Sequence, residues 1–295
     1  MSFTQSQQTI VVVGATGIQG SGVVRALLSD EYGGPWLVRA LTQDPLSGKA
    51  QKLLSDYQTT DNRLSLVSGH VYDEPSLRSA FAGAYGVFAM TSERYPGKLI
   101  TEEGELKHEI NAGRNIISAA KECCIKHLVF SSLPDTVKAS EGRFKRIHHM
   151  NNKHTIEQLA RKELDGFTSL IPGQYSATGV EKTKGKTYLA LGPRITPEGM
   201  AKVFTRVTGK PAVHSPISFE EFGQLSSALV GPAFKEDAIE MMQWAAVAPT
   251  DKTCYGAFEL EVEQSSKELG LTASSFEDWL TRSGWTGPYK VYSSS

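Results

Sequence analysis

Three glycines spaced three residues apart form the clearest chemical motif of the chain. They are Gly14, Gly17 and Gly20, they follow the strand-like run Ile10–Val13, and they precede a helical pattern from Ser21 to Ser29. The first glycine of such a motif permits a tight turn, the second lets backbone N–H groups approach a pyrophosphate, and the third lets the helix pack on the strand. The flanking strand and helix predict a dinucleotide site, and a turn that binds nothing is the alternative.

A second candidate for chemistry is the pair His149 and Lys153, four residues apart in a helical pattern. Side chains with this spacing share one face of a helix. A lysine ammonium there can donate hydrogen bonds to a ligand, and an imidazole can exchange a proton near neutral pH. The alternatives are a solvated lysine and a histidine that only caps the helix. Tyr175 is a third candidate, with packing as its alternative role.

Alternating strand and helix patterns must position these residues. After the first strand, the predicted strands are Trp36–Leu41, Leu64–Ser68, Gly86–Met90, His127–Ser131 and Phe167–Ile171. The predicted helices between them are Ser47–Asp56, Pro75–Ala82, Glu102–Cys123 and His149–Arg161. Strands separated by helices form parallel sheets, so we expect an α/β fold with a doubly wound sheet of six parallel strands. Its ligand is expected at the carboxyl ends of the strands.

The alternation stops after Pro172, where we place a domain boundary. Residues 1–172 are predicted to form the NAD(P)-binding domain and residues 173–295 a smaller, mainly helical domain that covers the cofactor crevice. Helix starts are predicted at Thr196, at Ser218 with Glu221, and at Ser274 with Glu277.

Composition narrows the class of protein. The chain of 295 residues carries 31 basic and 32 acidic side chains, and no basic run is interleaved with aromatic residues, which argues against direct nucleic-acid binding. The 3 cysteines lack the spacing of zinc ligands, the histidines do not pair, and we expect no metal. We find neither a leader sequence nor an apolar stretch that could span a membrane, and expect a cytoplasmic protein, or a nuclear one if it is a regulator.

Several motifs together resemble the NmrA-like family of atypical short-chain dehydrogenases, over nearly the whole chain. They are the turn 14–20, Thr42-Gln43-Asp44-Pro45, Ser131-Ser132-Leu133 and His149-Met150-Asn151-Asn152-Lys153. The resemblance implies a Rossmann fold that binds NADP or NAD, in proteins that are either reductases or redox-sensing regulators. It also implies cofactor contacts from a set of residues across the first domain: Gly14, Thr16, Gly17, Ile18, Gln19, Gly20, Gln43, Lys49, His70, Thr91 and Lys153.

The chain departs from the family where coenzyme choice is decided. Gln43 stands where many relatives carry an arginine that pairs with the 2′-phosphate of NADP, and glutamine supplies no charge. Asp44 could accept hydrogen bonds from a ribose diol and favour NAD, whereas Lys49 or Lys52 could restore positive charge. We expect NADP, with NAD as the alternative.

The expected function is reduction of a small carbonyl or enone-type metabolite by an NAD(P)-dependent oxidoreductase. Lys153 would orient the ribose, and His149, Tyr175 or water would supply the proton. Ordinary short-chain dehydrogenases have a tyrosine four residues before the lysine, so a non-catalytic redox-sensing regulator is the alternative. The segment after Tyr175 is shorter than in relatives, which leaves an open pocket or one completed by a partner, with a homodimer or a regulatory protein as candidate partners.

Overall fold

A parallel sheet of seven strands forms the centre of the part of the chain that the structure describes. The structure is a computed structural model that describes residues 7–29, 36–171, 183–189, 191–259, 265–270 and 273–287. The strand order is β3-β2-β1-β4-β5-β6-β7, and each neighbouring pair is parallel. The strands are β1 (Thr9–Val13), β2 (Leu37–Thr42), β3 (Leu64–Ser68), β4 (Gly86–Ala89), β5 (His127–Ser131), β6 (Phe167–Ile171) and β7 (Thr187–Leu189).

Helices cover both faces of this sheet. They are α1 (Ile18–Leu28), α2 (Gly48–Tyr57), α3 (Glu74–Phe81), α4 (His108–Glu122), α5 (Thr136–Ala139) and α6 (His148–Glu163). One face carries a core around Phe81, Phe130 and Ile156, and the other carries a core around Val24 and Leu53. Strands that are buried on both faces are typical of a doubly wound α/β fold, and the predicted Rossmann architecture is confirmed.

The remaining part of the chain is mainly helical, as predicted. Its elements are α7 (Pro197–Thr208), α8 (Phe219–Val230), α9 (Lys235–Val247), α10 (Ser265–Leu269), α11 (Phe276–Ser283) and a small antiparallel pair, β8 (Lys252–Thr253) with β9 (Phe258–Glu259). Val230 of α8, Ala238 of α9 and Phe234 in the 3-10 segment between these helices pack against Ile100 and Leu106. Trp244 of α9 is fully buried against Ile147. The division of the chain at residue 172 stays a prediction.

Two expectations about the sheet and its helices need correction. The sheet has a seventh strand, β7, rather than ending at the sixth, and Tyr188 and Leu189 of β7 are buried. Three residues are too few for a periodicity to reveal a strand. The helix predicted over Glu102–Cys123 is a 3-10 helix, Glu103–Lys107, followed by α4. Gly104 lies in this first segment, and glycine weakens an α-helix interior.

The helix starts of the C-terminal part were predicted with one error. Thr196 accepts a hydrogen bond from the Gly199 N–H, and Ser218 accepts one from the Glu221 N–H, at 3.0 and 3.1 Å. The third cap is Ser275 with Asp278, one residue after the predicted Ser274. Ser274 with Glu277 and Ser275 with Asp278 both have the spacing of a capping box, so the sequence does not distinguish them. In the folded chain the Ser274 hydroxyl instead accepts a hydrogen bond from Arg282. In the described ranges no helix is both long and apolar enough to cross a bilayer.

Candidate functional site

A crevice of about 650 Å³ opens at the carboxyl ends of β1, β2, β3 and β4. The strand order reverses between β1 and β4, which is where doubly wound sheets bind their ligands. The lining residues are Val13, Gly14, Thr16, Gly17, Leu41, Thr42, Gln43, Asp44, Ser47, Gly69, His70, Val71, Tyr72, Met90, Thr91, Ser92, Arg94 and Pro96. All of these lining residues precede residue 97, and none belongs to the described C-terminal part. That residues 173–295 cover the cofactor crevice therefore stays a prediction.

The glycine turn at the floor of the crevice has the geometry that a dinucleotide requires. Gly14 has a φ of +72°, in the left-handed region that favours glycine. A Cβ on Gly20 would lie 2.2 Å from the carbonyl oxygen of Gly14, so α1 packs against the turn closely enough to exclude any side chain. In the described chain no side chain caps α1 at Gly17. The first N–H groups of α1 therefore remain for an anion, and the turn fits a pyrophosphate.

The end of the crevice next to β2 is not basic. Gln43, Asp44 and Ser47 line it, and among the described lining residues Arg94, on the loop after β4, is the one cation. The Asp44 carboxylate accepts a hydrogen bond from the Leu46 N–H at 2.8 Å. Lys52 pairs with Asp56 at 2.9 Å, on the exposed side of α2.

Tyr72 lines the crevice after β3 and belongs to an aromatic cluster that reaches α4. The rings of Tyr72 and Tyr95 stack at 4.7 Å, and His108 contacts both. His108 Nε2 lies 3.1 Å from the carbonyl oxygen of Glu93, which can only accept, so the Tyr72 hydroxyl donates to His108 Nδ1 at 2.5 Å. Burial, with the negative charge of Glu109, raises the pKa of Tyr72 well above its usual range. Tyr72 therefore stays a neutral donor.

Lys153 forms a buried ion pair with Glu109 of α4. The ammonium donates to Glu109 Oε1, which also accepts from the Thr91 hydroxyl at 2.6 Å. The other carboxylate oxygen, Oε2, is buried and has no hydrogen-bond partner among the described residues. Thr91 lines the crevice, so this cluster connects α4 and α6 to the ligand site. A lysine ammonium has three protons, and Glu109 takes one of them.

His149 forms a second buried pair, with Asp237 of α9. The Asp237 carboxylate accepts from His149 Nδ1 through Oδ1 and from the His149 backbone N–H, at 2.9 Å, through Oδ2. The side chain of Asp237 is inaccessible to solvent. Lys153 and His149 thus lie on one face of α6, as their spacing predicts, and the Lys153 ammonium also reaches the His149 carbonyl oxygen at 3.5 Å.

The structure brings part of the predicted cofactor set together. Gly14, Thr16, Gly17, Gln43, His70 and Thr91 line the crevice. Five others are not among the lining residues. Ile18 and Gln19 begin α1, with the Ile18 side chain facing solvent, Gly20 is buried beneath the turn, and Lys49 is exposed on α2. Lys153 is buried on α6 and is connected to the crevice through Glu109 and Thr91. Tyr175 lies outside the described residues. No group of three or more potential metal ligands occurs in the described part of the chain.

Sequence reasoning missed Glu109 and Asp237. Glu109 follows the apolar Leu106 by three positions and precedes Gly113 by four. These are spacings at which residues share one face of a helix, so the sequence contained a signal that Glu109 faces inward. Asp237 is separated from His149 by 88 residues, and nothing local indicates the contact.

Comparison with known proteins identifies the family. Residues 6–180 match the NmrA-like family. The oxidoreductase FrzB of Cladobotryum sp., described as containing an NmrA-like family domain, is 35% identical over 163 residues, or 55% of this chain and 44% of FrzB. The chain spans about half the length of the curated relatives it matches.

Solved structures share the fold across almost the whole chain. NmrA, a negative transcriptional regulator solved in complex with NAD, aligns with a TM-score of 0.64 and 17% identity over 94% of this chain and 95% of its own. The triphenylmethane reductase of Citrobacter sp., complexed with NADP(H), aligns with a TM-score of 0.60 and 20% identity over 94% of this chain and 100% of its own. The family match covers more than half of the chain and includes the crevice, and the protein belongs to the NmrA-like family.

Proposed function

We propose that this protein is an NAD(P)-dependent oxidoreductase that reduces a small carbonyl or enone-type compound. The observation that carries the proposal is the glycine turn, where α1 approaches Gly14 so closely that Gly20 can bear no side chain. Relatives named as oxidoreductases and structural neighbours solved with NAD or NADP(H) support it.

The residues around the crevice have distinct roles in this proposal. The N-terminus of α1 would hold the pyrophosphate, and a bound reduced dinucleotide would supply hydride. Lys153, fixed by Glu109, would use a remaining proton to bind a ribose hydroxyl. His149 is the candidate proton donor to the substrate, and Tyr175 remains a candidate. A small-molecule substrate, a homodimer or protein partner and a cytoplasmic location belong to the same proposal.

Coenzyme preference depends on the end of the crevice next to β2. The sequence predicts NADP with NAD as the alternative, but Lys49 is not among the described lining residues and Lys52 is paired with Asp56. The Asp44 carboxylate would repel a 2′-phosphate, whereas the capped start of α2 at Ser47 would attract one. These opposed effects favour a protein that accepts both coenzymes.

A redox-sensing regulator is the second candidate function. It is favoured by His149, which occupies the position that tyrosine holds in ordinary short-chain dehydrogenases. The structural similarity to a transcriptional regulator agrees with it. A sensor needs the dinucleotide site but no proton donor.

The experiment is a parallel fluorescence titration with NADPH, NADP, NADH and NAD, followed by a screen of carbonyl and enone compounds for oxidation of the bound coenzyme. We expect tighter binding of reduced forms and turnover that Lys153→Ala lowers. Binding without turnover, or equal binding of both redox states, would support the sensor. Absence of binding in the folded protein would refute both functions.

A further inference from the structure

The contact between His149 and Asp237 determines which ring nitrogen can exchange a proton. Both carboxylate oxygens of Asp237 accept hydrogen bonds from the same residue, one from Nδ1 and one from the backbone N–H. Because a carboxylate accepts, Nδ1 carries the proton in the neutral ring. Among the residues that the structure describes, Nε2 then has no hydrogen-bond partner, and the side chain is 13% exposed to solvent.

Asp237 also fixes the position of the ring. The His149 N–H belongs to the first turn of α6, which begins at His148, so the carboxylate lies at the positive end of the helix. The ring of Phe234 packs edge to face against the imidazole, with centroids 5.6 Å apart. Helix α9 and the segment before it therefore hold both the backbone and the ring of His149.

Lys153 and His149 of α6 each pair with a separate buried carboxylate. Lys153 faces Glu109 of α4, and His149 faces Asp237 of α9. A buried cation is tolerated when it is paired, and Asp237 supplies the counter-charge for a positively charged His149 ring as Glu109 does for the Lys153 ammonium. The neighbouring His148 differs, because its partner Glu103 is 53% exposed.

We propose that Asp237 is a positioning residue that holds His149 as the proton donor, with Nε2 as the reacting atom. The inference rests on the proposed reductase function and names its acid. As hydride from the reduced dinucleotide reaches the carbonyl carbon, the electron pair of the C=O bond would move to oxygen, which takes the Nε2 proton of the doubly protonated ring. The ring becomes neutral and keeps its Nδ1 proton against Asp237. A proton from solvent then restores the Nε2–H.

Nitrogen NMR of the full chain labelled with ¹⁵N-histidine tests this inference without a ligand. The signals of His149 are assigned by their loss in His149→Gln. We expect the neutral ring to be protonated on Nδ1. In Asp237→Asn the amide oxygen still accepts from the His149 N–H, but the amide NH₂ faces Nδ1, so the ring proton should move to Nε2.

The matched control is Glu236→Gln, since Glu236 is the neighbouring acid on α9, is exposed and pairs with Arg146 at 3.4 Å. It should leave the His149 signals unchanged. Wild-type His149 protonated on Nε2, or unchanged signals in folded Asp237→Asn, would overturn the inference, and the wild-type spectrum decides even if that variant does not fold.

Coenzyme titration of the same samples separates this inference from the proposed function. Asp237→Asn and the wild type should bind NADPH with the same affinity. With a reducible substrate in hand, Asp237→Asn should lower kcat roughly 10²-fold or more, with little change in the KM for coenzyme. Failure of NADPH to bind would refute the reductase while leaving the NMR result intact.

Discussion

Replacing Gly20 by alanine tests the dinucleotide site with a perturbation of known size. The new Cβ would lie 2.2 Å from the Gly14 carbonyl oxygen, whereas ordinary contacts of this kind begin above 3.0 Å. The position of the Cβ is fixed by the backbone of Gly20 and its neighbour is a backbone oxygen, so no rotamer change relieves the contact. Helix α1 must therefore move by about 1 Å relative to the turn. In enzymes, a displacement of about 1 Å in a positioning element can lower the reaction rate roughly 10²-fold, and we take this as the upper size of the effect on binding.

We expect Gly20→Ala to weaken binding of NADPH and NADH by about 10- to 100-fold, or about 1.4–2.8 kcal/mol. Gly22→Ala is the matched control, because a Cβ on Gly22 of the same helix meets nothing within 4 Å. It should bind as wild type does and gain about 0.5–1 kcal/mol of stability, since alanine favours a helix interior.

The assay is a fluorescence titration of each variant, with urea unfolding to establish that each is folded. Wild-type affinity in a folded Gly20→Ala variant would refute the argument that the close approach forms the site. Equal losses in both variants would show that the effect is not specific to that contact.

Three further predictions concern charge. Burial lowers the pKa of His127 from its usual value of 6.5 to about 4. Between pH 6.5 and 4, His127 is therefore protonated in the unfolded chain but neutral in the folded chain, so the folded state loses stability as the pH falls. The free energy of unfolding should therefore fall by about 2–3 kcal/mol between pH 6.5 and 4. Urea unfolding at several pH values measures this loss, which should be absent in His127→Gln. The same dependence of the free energy of unfolding on pH in both proteins would contradict the prediction. Glu109→Gln leaves the Lys153 charge buried without its counter-ion and should lower the free energy of unfolding by about 3–5 kcal/mol. Adding Lys153→Met should recover most of this loss. If the losses of the two single variants simply add in the double variant, Glu109 and Lys153 are not coupled. Gln43→Arg should raise the ratio of NADPH to NADH affinity by about 10-fold in competition titrations, and an unchanged ratio would place the 2′-phosphate elsewhere.

Local patterns in the sequence were sufficient for the Rossmann sheet and for the floor of the crevice. Buried parallel strands require apolar runs, and the glycine turn requires glycines at fixed positions, so both appear within short segments. The same holds for the shared helix face of His149 and Lys153, which follows from a spacing of four residues. Short or irregular elements, such as β7 and the 3-10 helix before α4, carry too little periodicity to be predicted.

Only the tertiary structure decided which charges meet. Glu109 reaches Lys153 from α4, Asp237 reaches His149 from α9, and Lys49 lies outside the crevice although it is near Gln43 in sequence. Side-chain pairs between distant elements depend on how helices pack across the sheet, and no local spacing encodes that packing. The sequence by itself therefore determined where a dinucleotide could bind, whereas the fold determined which buried acids pair with His149 and Lys153.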